Sequence, residues 1–423
     1  MFLCTLLRRE QNLSWSRLVN MLRGPTGAKW RRLFGFDADC IPSASGLRYF
    51  AKTLGPVYLE ELLSRFVHCL MDAGLVPRTS SFPGDPPGRG VAIAHDGQLH
   101  TARANPVDCS CPTNKCLPNC PRITGLDGEA RFITYSGCNK RDPKEGRQVK
   151  GKTVFGYRSI ADRLLDDRFH VGWTVRDMCY PANVDERSVF ADEFVVLESV
   201  LRSVKIGEFI ADAAYGVDPI LTPLHQKDIL RLIDIRAVEG DDDPDTQRKR
   251  GYDAKGRPLF THGFAMTANG FDATRSRAKY ICAKPCQRQE IGDIPDCPFL
   301  KASHNKHGQI VNVGRCMPDG SSRLARDLLV GSAAWKARDS RRNLTESRNS
   351  AMERAGLKRL PVHGLLHVRY EVAAADILEN LRTLGRLAPK PPVRHPDTPP
   401  SHPTPARRPT PLGQLLPACS LYR

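Results

Sequence analysis

Three acidic residues of this 423-residue chain stand at positions where their carboxylates could act together. Asp96 and Asp212 each follow a short apolar run that reads as a buried strand, and Glu346 lies in a predicted helix. Acids at the carboxyl ends of strands project from the sheet edge where α/β proteins build their sites, and a neighbouring helix can add a third. Three converging carboxylates suit two Mg²⁺ or Mn²⁺ ions, which activate a water or a 3′-hydroxyl for attack on a phosphodiester. The 46 acidic residues of the chain offer many such combinations, so this pattern needs support from its neighbours.

The predicted helix around Glu346 is rich in arginine. Arg342 lies one turn before Glu346, where a guanidinium can hold a phosphate beside a metal-binding carboxylate. Arg348 belongs to the same basic segment, and we predict that both arginines contact DNA phosphates. The alternative is ordinary Arg–Glu pairing on a solvated helix face, which is worth about 0.2–0.5 kcal/mol per pair.

Two groups of cysteines have spacings that suit a tetrahedral Zn²⁺ ion. Their members are Cys109, Cys111, Cys116 and Cys120 in the first group, and Cys282, Cys286, Cys297 and Cys316 in the second. Four thiolates would close the coordination shell, so we expect any such site to be structural. Unmetallated cysteines in loops are the alternative. Fourteen cysteines without a secretory signal indicate reduced thiols or metal ligands, and therefore a cytoplasmic protein.

The charge balance indicates a polyanionic partner. Lys and Arg number 63 against 46 Asp and Glu, which gives a net charge of 63 − 46 = +17. A positive field of this kind attracts nucleic-acid phosphates. No apolar run approaches the roughly 18 residues that span a bilayer, which excludes an integral membrane protein. No phosphate-cradling GxxxxGK[ST] sequence is present, so nucleotide hydrolysis is not supported.

The predicted elements divide the chain into six segments, and the alternation of strands and helices in the third predicts an α/β sheet. The segments are a basic helical region for DNA binding (1–78), a Ser/Pro/Gly linker (79–90), the first part of the α/β domain (91–236), an insertion with cysteines (237–335), C-terminal helices of the same domain (336–387), and a disordered, Pro-rich basic tail (388–423).

Four segments carry a resemblance to a known family, namely IAHDG (93–97), PANVDERSVF (181–190), ADAAYG (211–216) and the stretch from 341 to 384. Together they resemble bacterial insertion-sequence transposases of the DDE type, in the IS-four-type branch whose RNase H-like domain carries a large insertion. The resemblance implies that Asp96, Asp212 and Glu346 bind the catalytic metals. Asp339 and Glu353 stand where the family signature has a tyrosine and a lysine.

The resemblance also implies an activity and partners. We expect an RNase H-like fold and DNA transposition by Mg²⁺-dependent phosphoryl transfer, with water nicking the element ends and a 3′-hydroxyl then attacking target DNA. The partners would be the terminal inverted repeats, target DNA and a second copy of the chain in a transient homodimer. Two alternatives remain open: a non-catalytic, zinc-containing DNA-binding protein descended from a transposase, and a related nuclease that cuts without joining.

Overall fold

The structure is a computed structural model, and it describes most of the chain up to residue 388. The described residues are 1–37, 39–103, 127–135, 152–236, 238–260, 263–272, 277–282, 309–314, 322–328, 330 and 332–388. Apart from Ala388, the tail predicted over 388–423 lies outside these residues.

The N-terminal part of the chain is helical. Its helices are α1 (Phe2–Glu10), α2 (Trp15–Arg23), α3 (Ala28–Phe34) and α4 (Ala44–Asp72). Ser14 and Ser43 cap α2 and α4, each accepting a hydrogen bond from a backbone N–H of the first turn. Even α4, with 29 residues, carries too many charges to cross a bilayer, and no other helix in the described part of the chain is long and apolar enough to do so.

A mixed sheet forms the centre of the molecule. Its strands are β1 (Val91–Thr101), β2 (Arg131–Tyr135), β3 (Lys152–Asp166), β4 (Val171–Pro181), β5 (Ile206–Ala211) and β6 (Leu230–Ile233). The long strand β3 pairs antiparallel with β1 on one edge and with β2 and β4 on the other. On the far side of β1, strands β5 and β6 run parallel to it. The α/β class predicted from the sequence is confirmed.

Helices cover both faces of this sheet. They are α5 (Glu186–Leu201), α6 (Asp218–Gln226), α8 (Ala333–Asp339), α9 (Asn343–Arg354) and α10 (Leu365–Leu387). A further helix, α7 (Pro244–Arg250), lies in the predicted insertion and has no buried residue. The largest core cluster joins Phe190 and Leu197 of α5 to Phe209 of β5 and Trp173 of β4. The same cluster includes Val67 from α4, so the N-terminal helices share a core with the sheet.

The predicted insertion contains a second, smaller sheet. Its strands β7 (Thr267–Asp272), β8 (Arg277–Ile281) and β9 (Ile310–Val313) pair antiparallel in that order. Phe260, Met266 and Tyr280 form the centre of its own hydrophobic cluster, separate from the core of the large sheet. Within the described residues, the insertion therefore has a small sheet with a hydrophobic core of its own.

Two buried arginines join the start of the chain to its last helix. Arg8 and Arg9 of α1 both donate to the carboxylate of Glu371 in α10, and all three side chains are almost fully buried. Burial alone would raise the pKa of Glu371, but the two arginines outweigh it and lower that pKa. The ionised carboxylate thus lies between two cations and is almost fully buried.

We expect Glu371→Ala to lower the free energy of unfolding by about 3–5 kcal/mol, because it leaves two buried guanidinium groups without their carboxylate. Urea denaturation followed by circular dichroism measures the change. The matched control is Glu61→Ala, which removes an exposed Glu61–Arg65 pair one turn apart and should cost about 0.3–0.5 kcal/mol. Equal effects of the two substitutions would contradict a special role for the buried junction.

Candidate active site

The first two predicted acids lie on neighbouring parallel strands, Asp96 in the middle of β1 and Asp212 directly after β5. The sequence predicted that the strand would end at Asp96, but β1 continues to Thr101, because residues 96–101 pair with β3. Ala94 of β1 is paired with Ile210 of β5, so Asp96 and Asp212 stand two residues further along each strand. Asp212 caps the short helical turn that follows β5, where its Oδ1 accepts a hydrogen bond from Ala214 N at 2.8 Å. The structure therefore brings Asp96 and Asp212 to one edge of the sheet.

The helix that carries Glu346 is fixed directly to Asp96. Asn349 Nδ2 donates to Asp96 Oδ2 at 2.8 Å, and Gln98 Nε2 donates to the backbone oxygen of Asn349 at 3.1 Å. Glu346 lies three residues before Asn349, on the same face of α9, and its side chain is exposed. The third predicted acid thus lies one helical turn from the contact with Asp96.

The surroundings of Asp96 disfavour its negative charge. Burial raises its pKa, the hydrogen bond from Asn349 lowers it, and the charges of Asp212 and Glu186 raise it again, which together bring the pKa to about 6. Like charges in a poorly solvated site repel each other, and a bound cation relieves that repulsion. The electrostatics of this edge therefore suit a cation partner.

Glu186 is a fourth acid at this edge, and we assigned it no role from the sequence. Its carboxylate accepts a hydrogen bond from Tyr215 Oη and pairs with Arg158 at 2.8 Å. A Cβ atom on Gly97 would lie 2.7 Å from Glu186 Oε1, so a larger residue at this position would force the Glu186 carboxylate to move. The signal in the sequence was the quoted segment PANVDERSVF, in which Glu186 begins α5.

A buried charge network lies beneath Asp96. His95 Nδ1 is 2.6 Å from Asp162 Oδ1, and Arg176 donates to the other oxygen of the same carboxylate at 2.7 Å. Burial would lower the pKa of His95, but Asp162 outweighs it and raises that pKa. The His95 ring also packs edge-on against Tyr215, with 4.8 Å between centroids. These contacts fix the strand position directly before Asp96.

Arg348 requires a correction, because its side chain is 1% exposed and it cannot reach a phosphate in this structure. Its Nε and Nη2 donate to the two oxygens of Asp376 in α10 at 2.9 and 3.0 Å, and Nη2 also donates to Asp177 of β4. Burial raises the pKa of Asp177 well above its usual range, which brings the cluster closer to neutrality. The predicted phosphate contact at Arg348 is wrong, and the residue instead anchors α9 to the sheet and to α10.

Arg342, the other predicted phosphate contact, is still available to bind a phosphate. It lies in the turn just before α9, it is half-buried, and its side chain makes no hydrogen bond to a described residue. Its nearest electrostatic partner is the carboxylate of Asp339, whose pKa is raised by burial and lowered by Arg342. The structure thus separates the two predicted phosphate contacts, leaving one guanidinium free to act and burying the other.

The predicted linker, 79–90, is packed against the site. Arg338 and Arg341 lie over the ring of Phe82, at 4.1 and 4.5 Å from its centroid. Both arginines also bind Glu208 of β5, and Arg338 binds Asp85. This segment contains no helix or strand, but it holds the start of the Glu346 region against the end of the sheet.

The acids present fit Mg²⁺ in their chemistry. This ion usually takes one or two protein carboxylates, keeps several waters and completes its shell with substrate phosphates. Asp96 and Asp212 provide two such oxygen donors at one sheet edge. Within the described ranges, no group of three or more His, Cys, Asp or Glu side chains is close enough to hold a metal, so Glu346 does not join the other two acids in this conformation.

The two predicted zinc sites fall almost wholly outside the described residues. This holds for Cys109, Cys111, Cys116, Cys120, Cys286, Cys297 and Cys316. Only Cys282 is described, and it is buried in the hydrophobic cluster of the small sheet. Zinc binding therefore stays a prediction.

No protein-family model, curated protein or solved structure matches this chain. The functional argument therefore depends on the residues and their geometry.

We expect Asp96→Asn to stabilise the protein without metal at pH 8 and to have little effect at pH 4. A carboxyl whose folded pKa is raised from 3.8 to about 6 contributes stability that is present below pH 4 and lost as the pH rises through 6. Two pKa units set an upper bound of about 3 kcal/mol for the gain. Urea denaturation in EDTA at both pH values measures it, and an equal effect at pH 4 and pH 8 would refute the raised pKa.

Proposed function

We propose that this protein is a DNA transposase of the DDE type, which cuts and joins DNA strands by Mg²⁺-dependent phosphoryl transfer. The observation that carries the proposal is the position of Asp96 and Asp212 beside each other, each two residues beyond the Ala94–Ile210 pair of the parallel strands β1 and β5, with the Glu346 helix attached to Asp96 through Asn349. The cytoplasm of a bacterial cell, where the DNA is accessible, is the expected site of action.

The sheet supports this proposal. Strands β4, β3 and β1 form an antiparallel meander, and β5 and β6 continue it in parallel. An RNase H-like domain calls for this arrangement, with acids on the central strand and on its parallel neighbour. Asp96 and Asp212 occupy those two places, and the insertion enters after β6, before the helix with the third acid.

In this proposal, Asp96 and Asp212 hold the Mg²⁺ ions, and Glu346 completes the set when DNA is bound. Bound Mg²⁺ supplies an activated water or 3′-hydroxyl and stabilises the leaving oxygen. Asn349 orients the Asp96 carboxylate through its hydrogen bond, and Arg342 faces the phosphate next to the one that reacts.

We expect Asp96→Asn, Asp212→Asn and Glu346→Gln each to lower DNA nicking by at least about 100-fold, since metal-binding carboxylates act as a unit. A double Asp96/Asp212 variant should be no worse than either single variant for the same reason. The assay is cleavage and strand transfer of labelled DNA with and without Mg²⁺. Glu353→Gln is the matched control, because Glu353 is an exposed acid of the same helix that pairs only with Lys358 among the described residues.

The outcomes separate the proposal from its alternatives. Activity that survives Asp212→Asn would remove the metal mechanism as proposed. DNA binding that is indifferent to Mg²⁺ and to all three acids, with no cleavage, would favour the non-catalytic DNA-binding protein. Cleavage without joining of a 3′-hydroxyl end to target DNA would indicate the related nuclease.

We expect Arg342→Ala to weaken DNA binding about equally for all sequences and to reduce the slope of log K against log salt by about 1, as the loss of one phosphate contact does. Fluorescence anisotropy over a salt series measures this slope. Arg354→Ala is the control, because Arg354 is an exposed arginine at the other end of α9. It lies 12 residues after Arg342, which turns its side chain about a third of a turn away from that of Arg342 around the helix. Equal changes in both variants would indicate a general basic surface.

A further inference from the structure

A second feature of the molecule points to a nucleic-acid contact away from the acids. A cleft of about 890 Å³ lies between α1 and α2, the middle of α4, and residues 361–371 at the start of α10. The cleft exists because α4 bends at Gly55, which adopts a left-handed φ of 70°, and at Pro56, which has no N–H to continue the helix.

The walls of this cleft are basic. Arg48 and Lys52 lie one turn apart on α4, and Arg103 follows the end of β1 on the opposite side. Arg48 and Lys52 make no ion pair with any described residue. Glu371 is the only acid among the described residues that line the cleft, and its charge is already balanced by Arg8 and Arg9. The cleft therefore presents uncompensated positive charge.

The same walls expose flat and apolar side chains. Tyr49, between the two free cations in sequence, is 73% exposed, and Leu366 on the other wall is 60% exposed. Trp15 also lines the cleft, with one face of its ring covered by the Arg8 guanidinium at 4.5 Å. Cations that alternate with exposed aromatic rings suit a strand whose phosphates and bases are both accessible.

We propose that this cleft binds one or two unpaired nucleotides of a DNA strand, with a base stacked on Tyr49 and phosphates on Arg48 and Lys52. Its volume is in the range of small-ligand sites, which is too small for a duplex. None of the acids of the candidate active site lines the cleft, and β1 rises about 17 Å from Asp96 to Thr101, just before Arg103, so the cleft is separate from the acid site. The inference takes DNA as the partner from the proposed function, but it needs neither metal nor cleavage.

The test is binding of a fluorescein-labelled, 15-nucleotide oligo-dT to the full chain in EDTA, followed by anisotropy. Tyr49→Ala should weaken binding about 5- to 100-fold, as the loss of one stacked base does, and Tyr49→Trp should restore it. Lys52→Gln should reduce the salt slope by about 0.7, the value for one phosphate of a single strand. Tyr58→Ala is the matched control, because Tyr58 lies on the same helix, is 44% exposed and does not line the cleft.

Selective loss of oligo-dT binding in Tyr49→Ala, with duplex binding unchanged, would support the cleft. The proposal would be overturned if Tyr49→Ala left oligo-dT binding unchanged or weakened oligo-dT and duplex binding equally. It would also be overturned if poly-glutamate competed as strongly as unlabelled oligo-dT. Repeating the titration on the Asp96→Asn background keeps the two proposals apart. If the acids prove dispensable for cleavage, the binding result at Tyr49 is unaffected.

Discussion

The buried ion cluster around Arg348 is the interaction on which the arrangement of the site depends. This one guanidinium joins α9 to Asp177 of β4 and to Asp376 of α10, and all three side chains are almost fully buried. Removing one partner from such a cluster typically costs about 3–5 kcal/mol. Because Asn349 follows Arg348 directly, the cluster also sets the contact with Asp96, and it fixes the helix on which Glu346 is carried.

The charged side chains around Asp96 and Asp212 are arranged in layers. Asp96, Asp212 and Glu186 face the outer edge, and the next layer inward holds His95 with its carboxylate partner Asp162. Arg338 and Arg341 then close the side of β5 through Glu208. Each carboxylate of the inner layer has a cation within hydrogen-bond distance, whereas the outer acids have few. Asp96 and Asp212 thus have no ion pair with any described residue, and a bound cation would balance their charge.

The sequence predicted those parts of the site that depend on local pattern. An apolar run followed by an acid located the strands of Asp96 and Asp212, and the 206–211 strand appears where the pattern indicated it. The pattern did not predict that β1 continues past Asp96 to Thr101, because that part of the strand depends on its pairing with β3. The burial of Arg348 could not be predicted from the sequence, because its partners Asp177 and Asp376 lie 171 and 28 residues away and become neighbours only in the folded chain. Phe82 escaped prediction for the same reason, since the Pro- and Gly-rich segment around it has the composition of a free linker.

The junction of Arg8 and Arg9 with Glu371 has a consequence for synthesis of the chain. Arg9 and its partner are 362 positions apart, so ribosomes adding about 5–20 residues per second need roughly 18–72 s between them. Throughout that interval Arg8 and Arg9 of α1 have no Glu371 carboxylate with which to form their buried ion pairs. Helix α1 therefore cannot complete this junction until α10 has been synthesised, although α1 emerges first.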